Sequence, residues 1–337
     1  LLIKTKCMKT FFVGIDISKD WLDVAICDEA TLEIALSWKC DNTVECIEKM
    51  IKKCQKQTAG NQIWFCFEHT GNYGLLLSNL LEAQEITYTA VPALEIKRSI
   101  GMTRGKNDEV DAIRIATYAA THKLKLKASR LPGKQILRVK YLLTHRALLL
   151  KTSTQFQNSR KSMLIAGKMV DLQDVITDLE KRINDLKAQI TTIEDAIKME
   201  LEADDNLSKT FKKITSVKGV GLMIAATMIV CTNNFSAFEN PRAFNCYAGL
   251  APFSFSSGSS IQGKTKTSKL RNRNMKALLF NGANTAVMYD LELKSYYNRK
   301  IKEGKHRMVV INSVACKMVY RIFAVLKRDE PYVNLMR

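Results

Sequence analysis

Four carboxylates stand where carboxylates are costly or unusually grouped. Asp16 interrupts the apolar run Phe11-Phe12-Val13-Gly14-Ile15, which resumes at Ile17. The run reads as a buried strand, and a lone charge there is expensive to desolvate. Glu68 ends the apolar stretch IWFCFE, just ahead of His69-Thr70-Gly71. Asp108 and Asp111 are three residues apart in NDEVDAIRIATYAATH. They share a face of a predicted helix and lie in its first turn, where the dipole favours anions. Glu109, between them, points elsewhere. Each has an ordinary reading by itself: Asp16 as a turn former, Glu68 as a strand-end residue, Asp108 as an N-cap. Brought together, the four would repel unless cations sat among them. Hard oxygen ligands suit Mg²⁺, and two such ions can bind the attacking and leaving oxygens of a phosphodiester. On this reading Asp16 is a metal ligand, and the acidic site takes two Mg²⁺ ions.

The elements around these residues make convergence plausible in physical terms. FFVGIDIS and WLDVAICD read as two strands of a hairpin, and TLEIALSWKC as a third strand. TVECIEKMIKKCQ (43–55) has helical periodicity, IWFCFEHTG (63–71) is a buried strand, and YGLLLSNLLEAQ (73–84) is a helix. ITYTAVP (86–92) is a strand stopped by Pro92, and 107–122 is an amphipathic helix. Three strands in meander followed by β-α alternation fit an α/β sheet of the ribonuclease H type over residues 9–122. In such a sheet the first strand, the end of the fourth strand and a later helix meet at one point.

Of 337 residues, 46% are apolar and 25% charged, which excludes a disordered chain and allows two or three domains. No apolar run reaches the roughly 18 residues of a membrane span, the longest being GLMIAATMIVC (221–231). Met8 reads as a natural start, with no signal peptide ahead of it. The nine cysteines show no CxxC or metal spacing, which points to reduced thiols in a cytosolic protein.

The net charge of +19 predicts a polyanionic partner. Residues 123–168 hold twelve Lys/Arg and no Asp or Glu, and 264–307 hold twelve against three acids. Candidate nucleic-acid contacts are Lys123, Lys125, Lys127, Arg130, Lys134, Arg138, Lys140 and Arg146 in the first segment. In the second they are Lys264, Lys266, Lys269, Arg271, Arg273 and Lys276. A solvated basic helix face is the ordinary alternative.

Residues 123–163 read as basic helix, broken near Leu131-Pro132-Gly133. Leu172, Ile176, Leu179, Ile183, Leu186, Ile190, Ile193 and Ile197 then recur at alternating spacings of four and three. Ile at every a position with Leu at most d positions favours a parallel two-stranded coiled coil over 172–197. The alternative is an intramolecular hairpin that packs this seam on the basic helix. The segment 123–205 is thus a basic, coiled-coil linker, and 206–337 a mostly helical domain. In ITSVKGVGLMIAATMI (214–229), Gly219 and Gly221 could form the turn of a helix-hairpin-helix module and bring backbone N–H groups to a phosphate. A plain turn between helices is the commoner meaning.

Asp16 in VGIDISKDWLDVAI, Glu68 in FEHTGNYG and Asp108/Asp111 in KNDEVDAIRIA resemble the Asp-Glu-Asp-Asp set of RuvC-like Holliday-junction resolvases. More closely they resemble the DEDD insertion-sequence transposases with a C-terminal serine domain, the bridge-RNA-guided recombinases. SVKGVGLMIAATMI and FSAFENPRAFNCYAGLAPFSFSSGSSIQGKTKTSKLRNRNMKALL are similar to that family's C-terminal transposase domain. The resemblance implies a RuvC-like N-terminal domain and a nucleophilic serine before a glycine after Gly249-Leu250-Ala251-Pro252, which is Ser257. By residues alone SFSSGSS reads as a loop. The family usually has glycine where this chain has Arg271, which would alter a tight turn or add a phosphate contact. The resemblance further implies donor and target DNA, a guide (bridge) RNA, a phosphoserine intermediate and a dimer or tetramer in a prokaryotic cytosol, with no membrane partner. Alternatives are a metal-dependent Holliday-junction-type endonuclease and, in other classes, an actin-like ATPase or a non-catalytic RNA-binding protein. The ATPase reading lacks a later Asp-x-Gly phosphate loop.

Overall fold

The computed structural model describes residues 9–69, 71–99, 108–257 and 261–333; for 108, 109, 255–257, 261, 262, 264 and 265 it describes the backbone only. The chain forms two compact units that meet in sequence between Leu131 and Pro132.

The first unit is built on a five-stranded sheet, β1 (Thr10–Ile17), β2 (Trp21–Asp28), β3 (Ile34–Asp41), β4 (Gln62–Glu68) and β5 (Tyr88–Val91), in the order β3-β2-β1-β4-β5. The first three strands are antiparallel, and β4 and β5 run parallel to β1. This is the expected meander followed by parallel strands. Helices α1 (Val44–Gln57) and α2 (Leu75–Ala83) cover the face made by Val13, Ile15, Val24, Phe65 and Phe67. Thr43 caps α1 by accepting from the Cys46 amide. A short helix α3 (Ala93–Ser99), which the sequence pattern does not announce, precedes α4 (Asp108–Thr121), which lies on the opposite face.

The expected helix from 123 is a 3₁₀ turn, Lys123–Lys125, followed by extended chain. That chain straps the sheet: Ser129 N–H donates to Tyr88 O, and Ser129 Oγ accepts from the Ala90 amide. A side-chain partner thus outweighs the helical pattern of this stretch.

The second unit begins with two long helices, α5 (Lys134–Ala166) and α6 (Gln173–Ala203), packed as a hairpin. Of the heptad seam, Ile176, Ile183 and Ile197 are buried, at 7%, 6% and 0% exposure, and the other five positions are part-exposed. Helix α5 packs along this seam within the chain, the intramolecular hairpin that was the alternative to a coiled coil between two copies. A turn of only six residues separates the two helices, so the local partner is close at hand, and loop closure of this length costs little. Helices α7 (Asp205–Thr215), α8 (Leu222–Thr232), α9 (Pro241–Tyr247), α10 (Arg273–Tyr289), α11 (Leu291–Lys302) and α12 (Arg307–Arg328) follow. A β-hairpin, β6 (Pro252–Ser257) and β7 (Ile261–Thr267), stands between α9 and α10. Helix α12 has the length and composition to cross a membrane, but Ile311, Val314, Met318, Ile322 and Val325 bury one side of it in the helical core. All eight described cysteines are free.

Candidate active site

Side chains on one face of a sheet fall in rows across neighbouring strands. On the α4 side, the row at Gly14 runs Ala25–Gly14–Cys66–Thr89. One step on, Asp16 pairs with Asp23 across β1 and β2. Glu68 stands one residue beyond the last β1–β4 pair, Ile15 with Phe67, which sets it beside Asp16. Lys39 pairs with Asp23 from β3. The row therefore reads Lys39–Asp23–Asp16–Glu68. Like charges directly across strands are unfavourable, so this row carries electrostatic cost.

Gly14 determines how α4 lies over the row. A Cβ there would come within 2.2 Å of the Ala116 nitrogen and 2.4 Å of the Ala112 oxygen, so only glycine lets the helix rest on β1. The far end of α4 is fixed as well: Lys123, just past it, pairs with Glu29, whose amide bonds the Thr10 carbonyl at the start of β1. The helix thus runs opposite to β1, and its N-terminal end, with Asp108 and Asp111, lies toward Asp16. Asp16 and Glu68 are part-exposed. Asp111 Oδ1 accepts from Arg114 Nη1 at 2.7 Å. The side chain of Asp108 lies outside the described residues. Three described carboxylates supply hard oxygen donors of the kind Mg²⁺ takes, but among the described residues no three metal-ligating side chains already form a cage.

Asp23 was not singled out from the sequence. It is 7% exposed, and Lys39 Nζ lies 3.9 Å from its Oδ2. The signal was available: a hairpin with a short Lys19-Asp20 turn sets Asp16 opposite Asp23, and Asp23 alternates with the buried Ala25 and Cys27.

Ser257 sits at the end of β6, paired with Ile261, so the segment expected to be a loop is partly a strand. Its side chain is outside the described residues. The hairpin base is firmly held. Lys276 Nζ donates to Gly249 O at 2.8 Å and reaches Thr267 Oγ1 at 3.3 Å. Burial, then the nearby Arg271 charge, lowers the Lys276 ammonium below the usual lysine range. Gly249 has φ +69°, and a Cβ on it would meet Arg271 Cδ at 2.4 Å. Arg271 Nη1 donates to Ser268 O at 2.9 Å. Asn272 caps α10 and donates from Nδ2 to Tyr247 Oη at 2.7 Å.

The expected phosphate contacts divide accordingly. Arg271 and Lys276 hold the hairpin. Arg138 and Arg146 pair with Glu200 and Glu194 across the α5–α6 hairpin, and Lys123 pairs with Glu29. Gly219, at φ +90°, packs on Gly282 of α10, where a Cβ would sit 2.3 Å from the carbonyl oxygen. Arg146, Arg271, Lys276 and Gly219 are thus engaged within the fold, while Lys123 and Arg138 form ion pairs at its surface, with side chains 48% and 65% exposed. Lys125, Lys127, Arg130, Lys134, Lys266, Lys269 and Arg273 are exposed, Lys140 is part-exposed, and Gly221 is exposed at the N-terminus of α8. The Lys264 side chain is not described.

The DEDD_Tnp_IS110 transposase domain matches residues 13–166, and the transposase domain of the IS116/IS110/IS902 family matches 212–298. The uncharacterized 43.6 kDa protein of insertion element IS110 from Streptomyces coelicolor is 31% identical over 123 residues, 36% of this chain and 30% of that protein. The IS116 protein of Streptomyces clavuligerus is 26% identical over 181 residues, 50% of this chain and 44% of that protein. The chain thus spans less than half the length of these two relatives. The pilin gene-inverting protein of Moraxella bovis is 21% identical over 332 residues, 96% of this chain and 98% of that protein. RuvC of T. thermophilus, solved with a Holliday junction substrate, is 13% identical, covers 36% of this chain and 99% of its own, and gives a TM-score of 0.29. Two transposase domain models thus match in order and together cover more than two thirds of the chain, which makes it similar to transposases of the insertion-element kind.

Proposed function

We propose that the chain is a DNA strand-transfer recombinase that cuts and rejoins donor and target DNA. The observation that carries this reading is the acidic row: Asp16 and Glu68 are neighbours across two strands, with the Asp108–Asp111 end of α4 toward them. The colinear match to a gene-inverting protein supports rejoining rather than cutting alone. Asp16, Glu68, Asp108 and Asp111 would hold Mg²⁺. When bound, such ions would polarise the phosphodiester and favour the ionised form of an attacking hydroxyl.

Ser257 is the nucleophile of this proposal. Its Oγ forms a bond to phosphorus, one phosphodiester P–O bond breaks, and the departing DNA hydroxyl carries away a proton. The phosphoserine link keeps the ester energy, so a hydroxyl of a new strand can reverse the step and release the serine. A serine is a weak nucleophile unaided, and the acidic domain that activates it belongs to another subunit of a dimer or tetramer. Guide RNA selects the target by base pairing. The exposed lysines and arginines of both basic segments hold phosphates.

The test incubates the purified chain with element-derived RNA, Mg²⁺ and labelled donor and target DNA. A denaturant-resistant protein–DNA band is expected, absent in Ser257→Ala and Asp16→Ala. Cleavage without any band, insensitive to Ser257→Ala but lost in Asp16→Ala, would make the chain a metal-dependent endonuclease instead.

A further inference from the structure

We propose that Asp23 and Lys39 are a positioning pair that sets how strongly the acidic row binds divalent cations. The inference rests on the metal-binding reading above and extends it to two residues outside the four carboxylates.

The geometry assigns them this role. Asp23 lies on the side of Asp16 away from Glu68, in direct cross-strand register. A carboxylate 7% exposed, beside another carboxylate, is a costly choice at a position whose same-face strand neighbours are Ala25 and Cys27. Lys39 offsets part of that cost. Its ammonium is 3.9 Å from Asp23 Oδ2, an ion pair without close hydrogen-bond contact, and lies over the Trp21 ring at 4.1 Å. The Lys39 side chain is about half exposed, at 51%, so it can move toward solvent when a cation neutralises the row. Asp23 therefore adds negative charge behind Asp16, and Lys39 subtracts it.

This arrangement predicts opposite effects from the two partners. Asp23→Asn leaves the Lys39 charge facing Asp16 and weakens cation binding. Lys39→Met keeps the aliphatic stem on Trp21 but removes the Lys39 charge that offsets Asp23 beside Asp16, which tightens cation binding and makes the metal-free fold less stable. Charges this near, partly screened, change the cation midpoint by about threefold or more in each direction.

The experiment is a thermal-melting titration of the full chain with Mg²⁺ and with Mn²⁺, without nucleic acid. Wild type is expected to gain stability with added cation. Asp23→Asn should need a higher cation concentration for half of that gain, and Lys39→Met a lower one. If Asp23→Asn does not fold, Lys39→Met carries the test by itself. Unchanged midpoints, or a shift of both variants in one direction, would reduce the pair to a structural contact and overturn the inference while leaving the metal reading intact. A wild-type chain with no cation-linked stabilisation, and none in Asp16→Ala, would overturn the metal reading and this inference together.

Discussion

At the scale of single residues, Gly14 matters as much as any carboxylate. Adding one methyl there puts it inside the backbone of α4, and overpacking against main chain has no flexible side chain to yield. Gly14→Ala is expected to cost about 3 kcal/mol, read as a lowered urea midpoint, and to abolish DNA cleavage with all four carboxylates intact. The buried thiols give a second residue-scale outcome. Burial pushes both Cys54 and Cys66 up to about 12. Since the thiolate is the reactive form, both should be alkylated at pH 8 far more slowly in the native chain than in urea, as peptide mass spectrometry can follow.

At the scale of elements, the α5–α6 hairpin and the β6–β7 hairpin make distinct demands. The seam of α6 is covered by α5, with Arg160 Nε donating to Glu180 Oε1 at 2.8 Å alongside the Arg146–Glu194 and Arg138–Glu200 pairs. Ile183→Ala removes buried methyl groups and should cost about 2 kcal/mol or more. The loss is read as a lowered urea midpoint of the full chain. For the serine-bearing hairpin, Lys276→Met deletes the bond to Gly249 O. Amide exchange across 252–257 and 261–267 should accelerate while the helical core stays protected. The lost hydrogen bond is worth about 1 kcal/mol, too little to unfold the unit.

At the scale of the whole molecule, the net charge of +19 is not spread evenly between useful and spent cations. Arg146 is tied to Glu194, whereas Lys134 and Lys266 are exposed. Replacing either exposed lysine by Gln should lower the log–log salt slope of nucleic-acid binding by about one unit. Arg146→Gln should leave that slope unchanged and instead lower the stability of the α5–α6 hairpin.

What could be read from residues alone follows the range of the interactions. Strand alternation, helix periodicity and the stop at Pro92 are local, so the meander, the order of elements in the first unit and the odd placement of Asp16 were legible before any fold was known. The heptad was legible too, but not its partner: a seam of Ile and Leu accepts any matching apolar face, and only the packed chain decides that α5 supplies it. The same limit explains the basic residues. Charge is visible in sequence, while its pairing with Glu194 or Glu200, or its hydrogen bond to a carbonyl such as Gly249 O, depends on contacts far along the chain. Gly219 reads as a phosphate turn because the local pattern allows one; its close approach to Gly282 is tertiary. Asp23 shows the boundary most plainly. Its type was in view throughout, but its burial and its place between Lys39 and Asp16 come from cross-strand register, which exists only once the sheet is assembled.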